Sequence, residues 1–305
     1  MILSDNQGIK VLRAGASWHG GEHEWSLPTR DASGAWTPGE WTPRVAPSVC
    51  SRGWHLTTQP GLWWSSDAGV TAYLAEWDGA LARHEGDEKF AVERCRLLRE
   101  LTADELAACG VFLSGSHEVW AGSAWAYGSA TVRAHGSATV RAYGSATVTA
   151  YGYATVTAYG YATVTAHGYA TVTAYGYATV RAHGSATVRA HGSATVWAYG
   201  SATVTAYDSA TVTAYGYATV WAYGSAKAHA AGQSVATTWG GTVVVTRADR
   251  GVIVDRRSGT PRTVCKRRGL DGWRYDDGAW SQRVAKVESD REMAEIRARV
   301  DGGAS

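Results

Sequence analysis

The chain has 305 residues, and its 36 Gly, 15 Trp and 16 Tyr beside only 6 Pro, 2 Phe and 2 Met are unlike the composition of an average enzyme. A hydrophobic content of 45% with 18% charged residues excludes a disordered chain, and no run of 18 apolar residues offers a transmembrane helix. The first residues contain Asp5 and lack the pattern of a signal peptide, and four cysteines without CxxC spacing are too few for a disulfide framework. We therefore expect a soluble, folded, cytoplasmic protein.

The net charge of +2 conceals three segments of different chemistry. Residues 1–117 are Trp-rich and acidic, with 10 basic and 15 acidic residues. Residues 118–231 contain a repeat and have 5 basic and 2 acidic residues. Residues 232–305 are basic, with 14 basic and 10 acidic residues. Neither excess is large enough to indicate nucleic acid. We predict three domains with these bounds in a mainly β protein: a small α+β module, a central β-solenoid and a β-rich cap that ends in a helix.

The front segment has the pattern of a compact α+β module. Strands are predicted at 9–12, 53–56, 70–77 and 90–98, where β-branched and aromatic residues concentrate. The Thr-x-x-Glu pattern of Thr102 and Glu105 is a capping box, which predicts a short helix that reaches Ala108. We expect this module to cap one end of the repeat region.

Four stretches of the front segment resemble an uncharacterised N-terminal module of phage and prophage repeat proteins. They are CSRGWH at 50–55, residues 72–76, RHEGDEK at 83–89 and CRLLREL at 95–101. The resemblance implies a phage-related intracellular protein. It carries no known chemistry.

An enzyme is the alternative for the front segment. Arg13, His55 and Glu76 (or Glu93) on successive strands are loosely like the cleft of an ADP-ribosyltransferase, where such groups hold NAD. The competing and favoured interpretation places His55 and the neighbouring tryptophans in a small core. The sequence has no GxGxxG, GxxxxGK[ST], HExxH or GxSxG pattern, so we predict neither catalytic residues nor a cofactor.

An eight-residue repeat, A-[YH]-G-[SY]-A-T-V-x, runs from Tyr127 to Ala226 in twelve copies. Its glycine column is broken only by Asp208. Because eight is even, the alternation of a β-strand stays in phase from copy to copy, whereas a helical period would drift. Alternate residues therefore point to opposite faces of the strand. The set that includes Ala130, Val132 and Gly136 is predicted to face inward, and the set of polar and aromatic residues between them is predicted to face outward.

Such short units must stack as coils about 4.8 Å apart to bury a core and satisfy their backbones. A coil of two repeats with two faces and a coil of three repeats with three faces are both compatible with the period. We favour two repeats per coil, and about six coils, because an interior of Ala and Val suits a flattened cross-section.

The unit YGSATVTA at 143–150 and its neighbours resemble the repeats of bacterial ice nucleation proteins. The resemblance covers residues 127–226 and implies a flat β-solenoid and, as an alternative function, ice binding. This chain departs from that pattern, because Arg or Trp replaces the second Thr of Thr-x-Thr in several copies. The complete motifs in the middle of the repeat are Thr147 and Thr149, Thr155 and Thr157, Thr163 and Thr165, and Thr171 and Thr173. In a two-faced coil they give only two adjacent rungs per face.

Two aromatic columns are the main candidates for binding or assembly. Residues two repeats apart are expected to stack one rung apart as a ladder, which stiffens a rod and can also bind a partner. The first column includes Tyr143, Tyr151, Tyr159 and Tyr175, and the second Tyr153, Tyr161, Tyr169, Tyr177 and Tyr217. His167 and His183, without a carboxylate or Cys, make a poor metal site, so none is predicted.

The back segment is predicted to begin with strands at 242–246 and 252–254, as the last coils or a β cap. Lys266, Arg267 and Arg268 form a basic patch beside aromatic residues, and a solvated cap is favoured over contact with nucleic acid. Residues 288–300 are predicted to form a terminal amphipathic helix.

The sequence as a whole favours a non-enzymatic structural or interaction protein. Its predicted partner is another protein or a second copy of itself in a homodimer, with no membrane partner. Ice binding and an NAD-using transferase remain the alternatives.

Overall fold

The computed structural model describes residues 3–17, 23–48, 52–65, 69–83 and 88–239, and the backbone of short strands between 242 and 274. The chain divides into two compact units, residues 1–113 and 114–305. In the described part of the chain, no helix is long and apolar enough to cross a membrane.

The front unit is built on a small antiparallel barrel in which the strand order is β1-β4-β6-β5. The strands predicted at 9–12, 53–56, 70–77 and 90–98 are confirmed as parts of β1, β4, β5 and β6. The elements are β1 (Gln7–Arg13), β2 (Thr29–Arg30), β3 (Trp36–Thr37), β4 (Trp54–Thr57), a 3-10 turn (Pro60–Leu62), β5 (Val70–Arg83), β6 (Lys89–Glu100), α1 (Ala103–Ala108) and β7 (Val111–Phe112).

The barrel encloses a core of aliphatic and aromatic side chains. Leu12, Leu56, Phe90 and Leu97 are almost completely buried there, and the partly buried Trp54 and other tryptophans pack around them. This packing excludes apolar surface from water and stabilises the unit.

Helix α1 begins with the predicted capping box. The Thr102 hydroxyl accepts a hydrogen bond from the Glu105 N–H (3.3 Å), and the Glu105 carboxylate accepts one from the Thr102 N–H (2.9 Å). Arg99 also donates to that carboxylate, and these bonds lower the pKa of Glu105 to about 2.

The second unit is a β-solenoid in which successive strands alternate between two parallel sheets. The first sheet contains β8 (Ser116–Val119), β10 (Thr131–Ala134), β12 (Thr147–Ala150), β14 (Thr163–Ala166), β16 (Thr179–Ala182), β18 (Thr195–Ala198), β20 (Thr211–Ala214), β22 (Lys227–Ala230) and β24 (Thr242–Val244). The second contains β9 (Ser123–Ala126), β11 (Thr139–Ala142), β13 (Thr155–Ala158), β15 (Thr171–Ala174), β17 (Thr187–Ala190), β19 (Thr203–Ala206), β21 (Thr219–Tyr223), β23 (Val235–Trp239) and β25 (Val252–Asp255).

The strand register sets the length of the coil. Thr131 lies opposite Thr147 in the first sheet, and Thr139 lies opposite Thr155 in the second, so each strand pairs with the strand two repeats later. The preferred coil of two repeats is thereby confirmed, and the coil of three repeats is excluded.

Within the twelve copies of the repeat, the inward side chains are all Ala or Val. Ala130, Val132 and Ala134 are completely buried, as are their equivalents in every copy of the repeat. The parity of the strand predicts Gly136 inside as well, but this residue lies exposed at the corner, because its positive φ of 57° turns the chain there.

The solenoid is longer than the repeat that predicts it. Strands β8 and β9 precede the first copy, and β22 and β23 follow the last, with the same inward alanines at positions such as Ala124 and Ala228. Strands β24 and β25 continue both sheets in parallel, so the interpretation of this stretch as the last coils is confirmed.

Beyond these coils, β26 (Arg262–Cys265) runs antiparallel to β25, and β27 (Arg267–Gly269) pairs with β28 (Gly272–Arg274). Arg267 and Arg268 lie on β27, but the side chains of the predicted basic patch, and Lys266 entirely, fall outside the described residues. So does the helix predicted at 288–300.

Candidate functional site

Each coil turns at two corners, and the corner residues stack into an aromatic ladder along each edge of the solenoid. Adjacent ring centroids are 4.2–5.3 Å apart, and the rings lie within 17° of parallel. The first edge carries Trp120, His135, Tyr151, His167, His183, Tyr199 and Tyr215. The second edge carries Tyr127, Tyr143, Tyr159, Tyr175, His191, Tyr207, Tyr223 and Trp239.

Backbone hydrogen bonds between rungs hold the ladders in register. The Tyr151 N–H, for example, donates to the carbonyl oxygen of Ala134 in the preceding coil (2.8 Å). At the one corner of the repeat without glycine, Asp208 adopts a φ of 56°, and its carboxylate accepts a hydrogen bond from the Gly192 N–H (2.9 Å). Asp tolerates this conformation because its short side chain bonds locally, so the ladder continues without interruption.

A second set of tyrosines projects beyond the ladders. Tyr153 and Tyr169 stack at 5.4 Å on the first edge, and Tyr161 and Tyr177 at 5.3 Å on the second. These four side chains are 60–71% exposed. Because they recur once per repeat and a coil contains two repeats, consecutive members alternate between edges. We call Tyr153 with Tyr169 the first tyrosine pair and Tyr161 with Tyr177 the second; they form two separate patches.

The four complete Thr-x-Thr motifs in the middle of the repeat occupy two adjacent rungs on each sheet, as the two-faced coil predicts. On the first sheet, Thr147 pairs with Thr163 and Thr149 with Thr165; on the second, Thr155 pairs with Thr171 and Thr157 with Thr173. The role of these threonines in binding stays a prediction.

The two threonines differ in accessibility in the motifs that begin at Thr147 and Thr155, whereas both are half-buried in the motifs that begin at Thr163 and Thr171. Thr149 and Thr157 are only half-buried and not exposed, whereas the first threonines of the same motifs are exposed. Thr149 lies between Arg133 and Thr165 on its sheet, and Thr157 between Arg141 and Thr173.

Arginines lie on both sides of the paired second threonines, Thr149 with Thr165 and Thr157 with Thr173. Arg133 and Arg141 precede them, and on the far side Arg181 is the next neighbour of Thr165 and Arg189 that of Thr173. The column of second threonines on each sheet is therefore short and interrupted, as predicted, whereas arginine does not interrupt the column of first threonines.

The arginines of the solenoid lie on its sheets and make weak surface contacts. Arg133 approaches Glu118 at 3.9 Å with both side chains more than half exposed, an arrangement that contributes little to stability. Arg181 lies over the Trp197 ring at 5.3 Å, and Arg141 over that of Trp125 at 5.9 Å. Within the described part of the chain, no three His, Cys, Asp or Glu side chains are grouped to hold a metal ion.

His183 stacks on His167 on the first edge, at a centroid distance of 5.0 Å. Burial, His167 and Arg181 together lower the pKa of His183 from its ordinary value of 6.5. The unfolded chain therefore takes up this proton at higher pH than the folded chain, so stability present above about pH 6.5 is lost as the pH falls. We expect the thermal midpoint of the solenoid, followed by far-UV circular dichroism, to fall between pH 7 and 5.

His183→Tyr should weaken this dependence, whereas His191→Tyr is the matched control, because His191 stacks between Tyr175 and Tyr207 on the second edge. Equal acid sensitivity in wild type and His183→Tyr would contradict the assignment.

The three residues considered for an NAD cleft do not converge. Arg13 lies opposite Val70 and Glu76 lies opposite Gln7, at the two ends of the β1–β5 pair and therefore about 20 Å apart. Glu76 is ion-paired with Arg96, and Glu93 with Arg44. His55 is on β4, where its backbone carbonyl accepts a hydrogen bond from Lys10 Nζ (3.3 Å). These positions favour the interpretation of His55 as part of the barrel's packing.

The sequence did not single out the buried Lys10. Its ammonium lies 4.6 Å from the centre of the Trp25 ring, and burial lowers the pKa of Lys10 to about 8. Burial also raises the pKa of the Cys95 thiol to about 12. The sequence feature that could have indicated its burial is the position of this lysine among Ile9, Val11 and Leu12, in a strand that the barrel buries on both faces.

Comparison with known proteins finds no protein-family model, no curated protein and no solved structure that matches this chain. The resemblances to ice nucleation repeats and to a phage module thus depend only on the residues that carry them. The solenoid and its two aromatic edges are the features from which a function can be inferred.

Proposed function

We propose that this chain is a non-enzymatic structural protein whose solenoid associates with a second copy of itself through its exposed tyrosines. The observation that carries the proposal is the 60–71% exposure of Tyr153, Tyr161, Tyr169 and Tyr177. Concentrated exposed aromatic surface is typical of interaction sites.

The fold does not need these tyrosines. The same repeat position is serine in eight of the other copies, and the ladders beneath them already stack every rung. Tyr buries a large area on association at a small cost in side-chain entropy, which is why it is enriched in interfaces. An outward aromatic that folding does not require supports a role in binding.

The periodicity of the edge favours a second copy as the partner. The exposed rings recur once per coil, at the spacing of the parallel strands below them. A partner surface that contacts every rung must repeat at the spacing of one coil, and a second solenoid of this sequence repeats at that spacing. We infer no cofactor and no catalytic step.

Replacing all four of these tyrosines with Ser should abolish self-association. Ser is native to this position in other coils, so the variant is expected to retain the circular dichroism and thermal midpoint of wild type. Light scattering coupled to size-exclusion chromatography should show a concentration-dependent rise in mass for wild type and a monomer for the variant.

Tyr217→Ser is the matched control, since Tyr217 is equally exposed (64%) but its neighbouring coils carry Ser201 and Gln233. A wild-type protein that is monomeric at every concentration would overturn the proposal.

Ice binding is the second candidate, favoured by an unbroken column of threonines on each sheet. The columns are Thr131, Thr147, Thr163, Thr179, Thr195 and Thr211, and Thr139, Thr155, Thr171, Thr187, Thr203 and Thr219. Arg and Trp interrupt the adjacent column, to which Thr149 and Thr157 belong, and this leaves a narrow array. Thermal hysteresis in wild type that persists after the four Tyr→Ser changes would support ice binding in place of self-association.

A further inference from the structure

We infer that the solenoid associates through both edges, each with the same edge of another copy, so that the chains join into open-ended ribbons and not closed dimers. This inference rests on the proposed function, and it specifies how the copies are arranged.

The first step is that the two tyrosine pairs are equivalent but opposed. Moving one repeat along the chain takes Tyr153 to Tyr161 and Tyr169 to Tyr177, which is a half-turn of the coil. Each pair therefore occupies the equivalent corner at opposite edges of one solenoid, although the ladder residue beside Tyr169 is His167 and the one beside Tyr177 is Tyr175. A surface that allows binding at one edge is present at the other as well.

The second step is that each pair is complementary to itself. Across a two-fold axis perpendicular to an edge, Tyr153 of one copy meets Tyr169 of the next, and their spacing of 5.4 Å is matched. Serines in the adjoining coils, Ser137 and Ser185 on the first edge, are small enough to let the rings approach. The same holds on the second edge, where Ser145 and Ser193 flank the pair.

Charge does not oppose this contact. The solenoid's arginines lie on the strands of the two sheets, for instance Arg133 on β10 and Arg189 on β17, whereas the tyrosine pairs lie at the corners between strands. Two copies that meet edge to edge therefore bring tyrosine rings and hydroxyls together without Lys or Arg, with His167 and His183 of the ladder beside the first pair.

Contacts at both edges do not form a closed assembly. A two-fold contact that uses one edge leaves the opposite edge of each copy free, and that edge can make a second two-fold contact with a further copy. Successive contacts through opposite edges do not lead back to the first copy, so the assembly stays open-ended. Each interface is small, because two rings per copy bury only a few hundred Å² and a stable interface commonly buries about 1,200–2,000 Å². Growth should therefore be weak and dependent on concentration.

Single-edge variants test the inference. Changing Tyr153 and Tyr169 to Ser removes the first pair, changing Tyr161 and Tyr177 to Ser removes the second, and each variant serves as the control for the other. By sedimentation velocity and equilibrium on the full chain, we expect the wild-type average mass to pass twice the monomer mass and continue to rise. Each single-edge variant should reach a plateau at twice the monomer mass, and the fourfold variant should remain a monomer.

Three outcomes would overturn the ribbon. A wild type that stops at the dimer while only one variant becomes monomeric would show a single working edge, and self-association itself would stand. Two variants that are each monomeric alone but dimerise when mixed would show that unlike edges pair. A monomeric wild type would overturn both this inference and the proposed function.

Discussion

Val172→Asp is expected to unfold the coils around it and to lower the thermal midpoint of the solenoid by about 10 °C or more. Val172 is completely buried between Val156 and Val188 of the neighbouring coils, where the inward positions of the repeat hold only Ala and Val. A carboxylate there has no partner, and burying it unpaired costs several kcal/mol. Each coil is supported only by its neighbours, so a break in one rung interrupts the ladder on both sides.

Thr173→Asp is the matched control, because it places the same carboxylate one residue along the strand on the outward face. There it lies one rung from Arg189 and remains accessible to water. We expect a change of no more than about 0.5 kcal/mol in unfolding free energy, which is usual for surface substitutions. Similar midpoints for the two variants, measured by circular dichroism, would contradict the inward and outward assignment of the repeat.

Lys10 is expected to make the front unit more stable as the pH rises from 8 to 9. The folded-state pKa of Lys10 is about 8 and its ordinary value is 10.5, so between these values the unfolded chain holds more protons than the folded chain. Stability therefore increases with pH in this window, by about 1.4 kcal/mol per pH unit if one proton is fully linked. Cys95 acts in the opposite direction above pH 9, because its folded-state pKa is raised from 9.0 to about 12.

The measurement is urea unfolding followed by tryptophan fluorescence at half-unit steps from pH 7.5 to 9.5. Lys10→Met should remove the rise and increase stability at pH 7, since a buried ammonium is replaced by an apolar group of similar length. Lys89→Met is the comparison, because the charge of Lys89, a less buried lysine on β6, also lowers the pKa of Lys10; this variant should keep the rise and shift it to higher pH. If Lys10→Met keeps the wild-type pH dependence, another group is responsible for it.

The solenoid could be predicted because its repeat determines the local structure directly. An even period fixes the strand alternation, and the inward Ala and Val leave room for nothing but closely stacked sheets. The coil length was less certain, because two or three repeats per coil satisfy the same period, and the small interior residues were the only guide to the answer. Once the coil contains two repeats, the separation of Tyr153 from Tyr161 onto opposite edges follows by arithmetic.

The front unit shows what the sequence could not determine. Its strands and capping box were predicted, but the register between strands is a long-range property that depends on packing. That register places Arg13 and Glu76 at opposite ends of one strand pair. The burial of Lys10 likewise depends on the closure of the barrel over both faces of β1.

The two-repeat coil also determines how the length of this protein can change without loss of fold. An in-frame deletion or duplication of two repeats within 127–226 removes or adds one rung of about 4.8 Å and leaves every later residue on its original sheet. A change of a single repeat transfers all later strands to the opposite sheet and all later corners to the opposite edge. Such a gene can therefore be lengthened or shortened only in steps of two repeats if both surfaces are to be preserved.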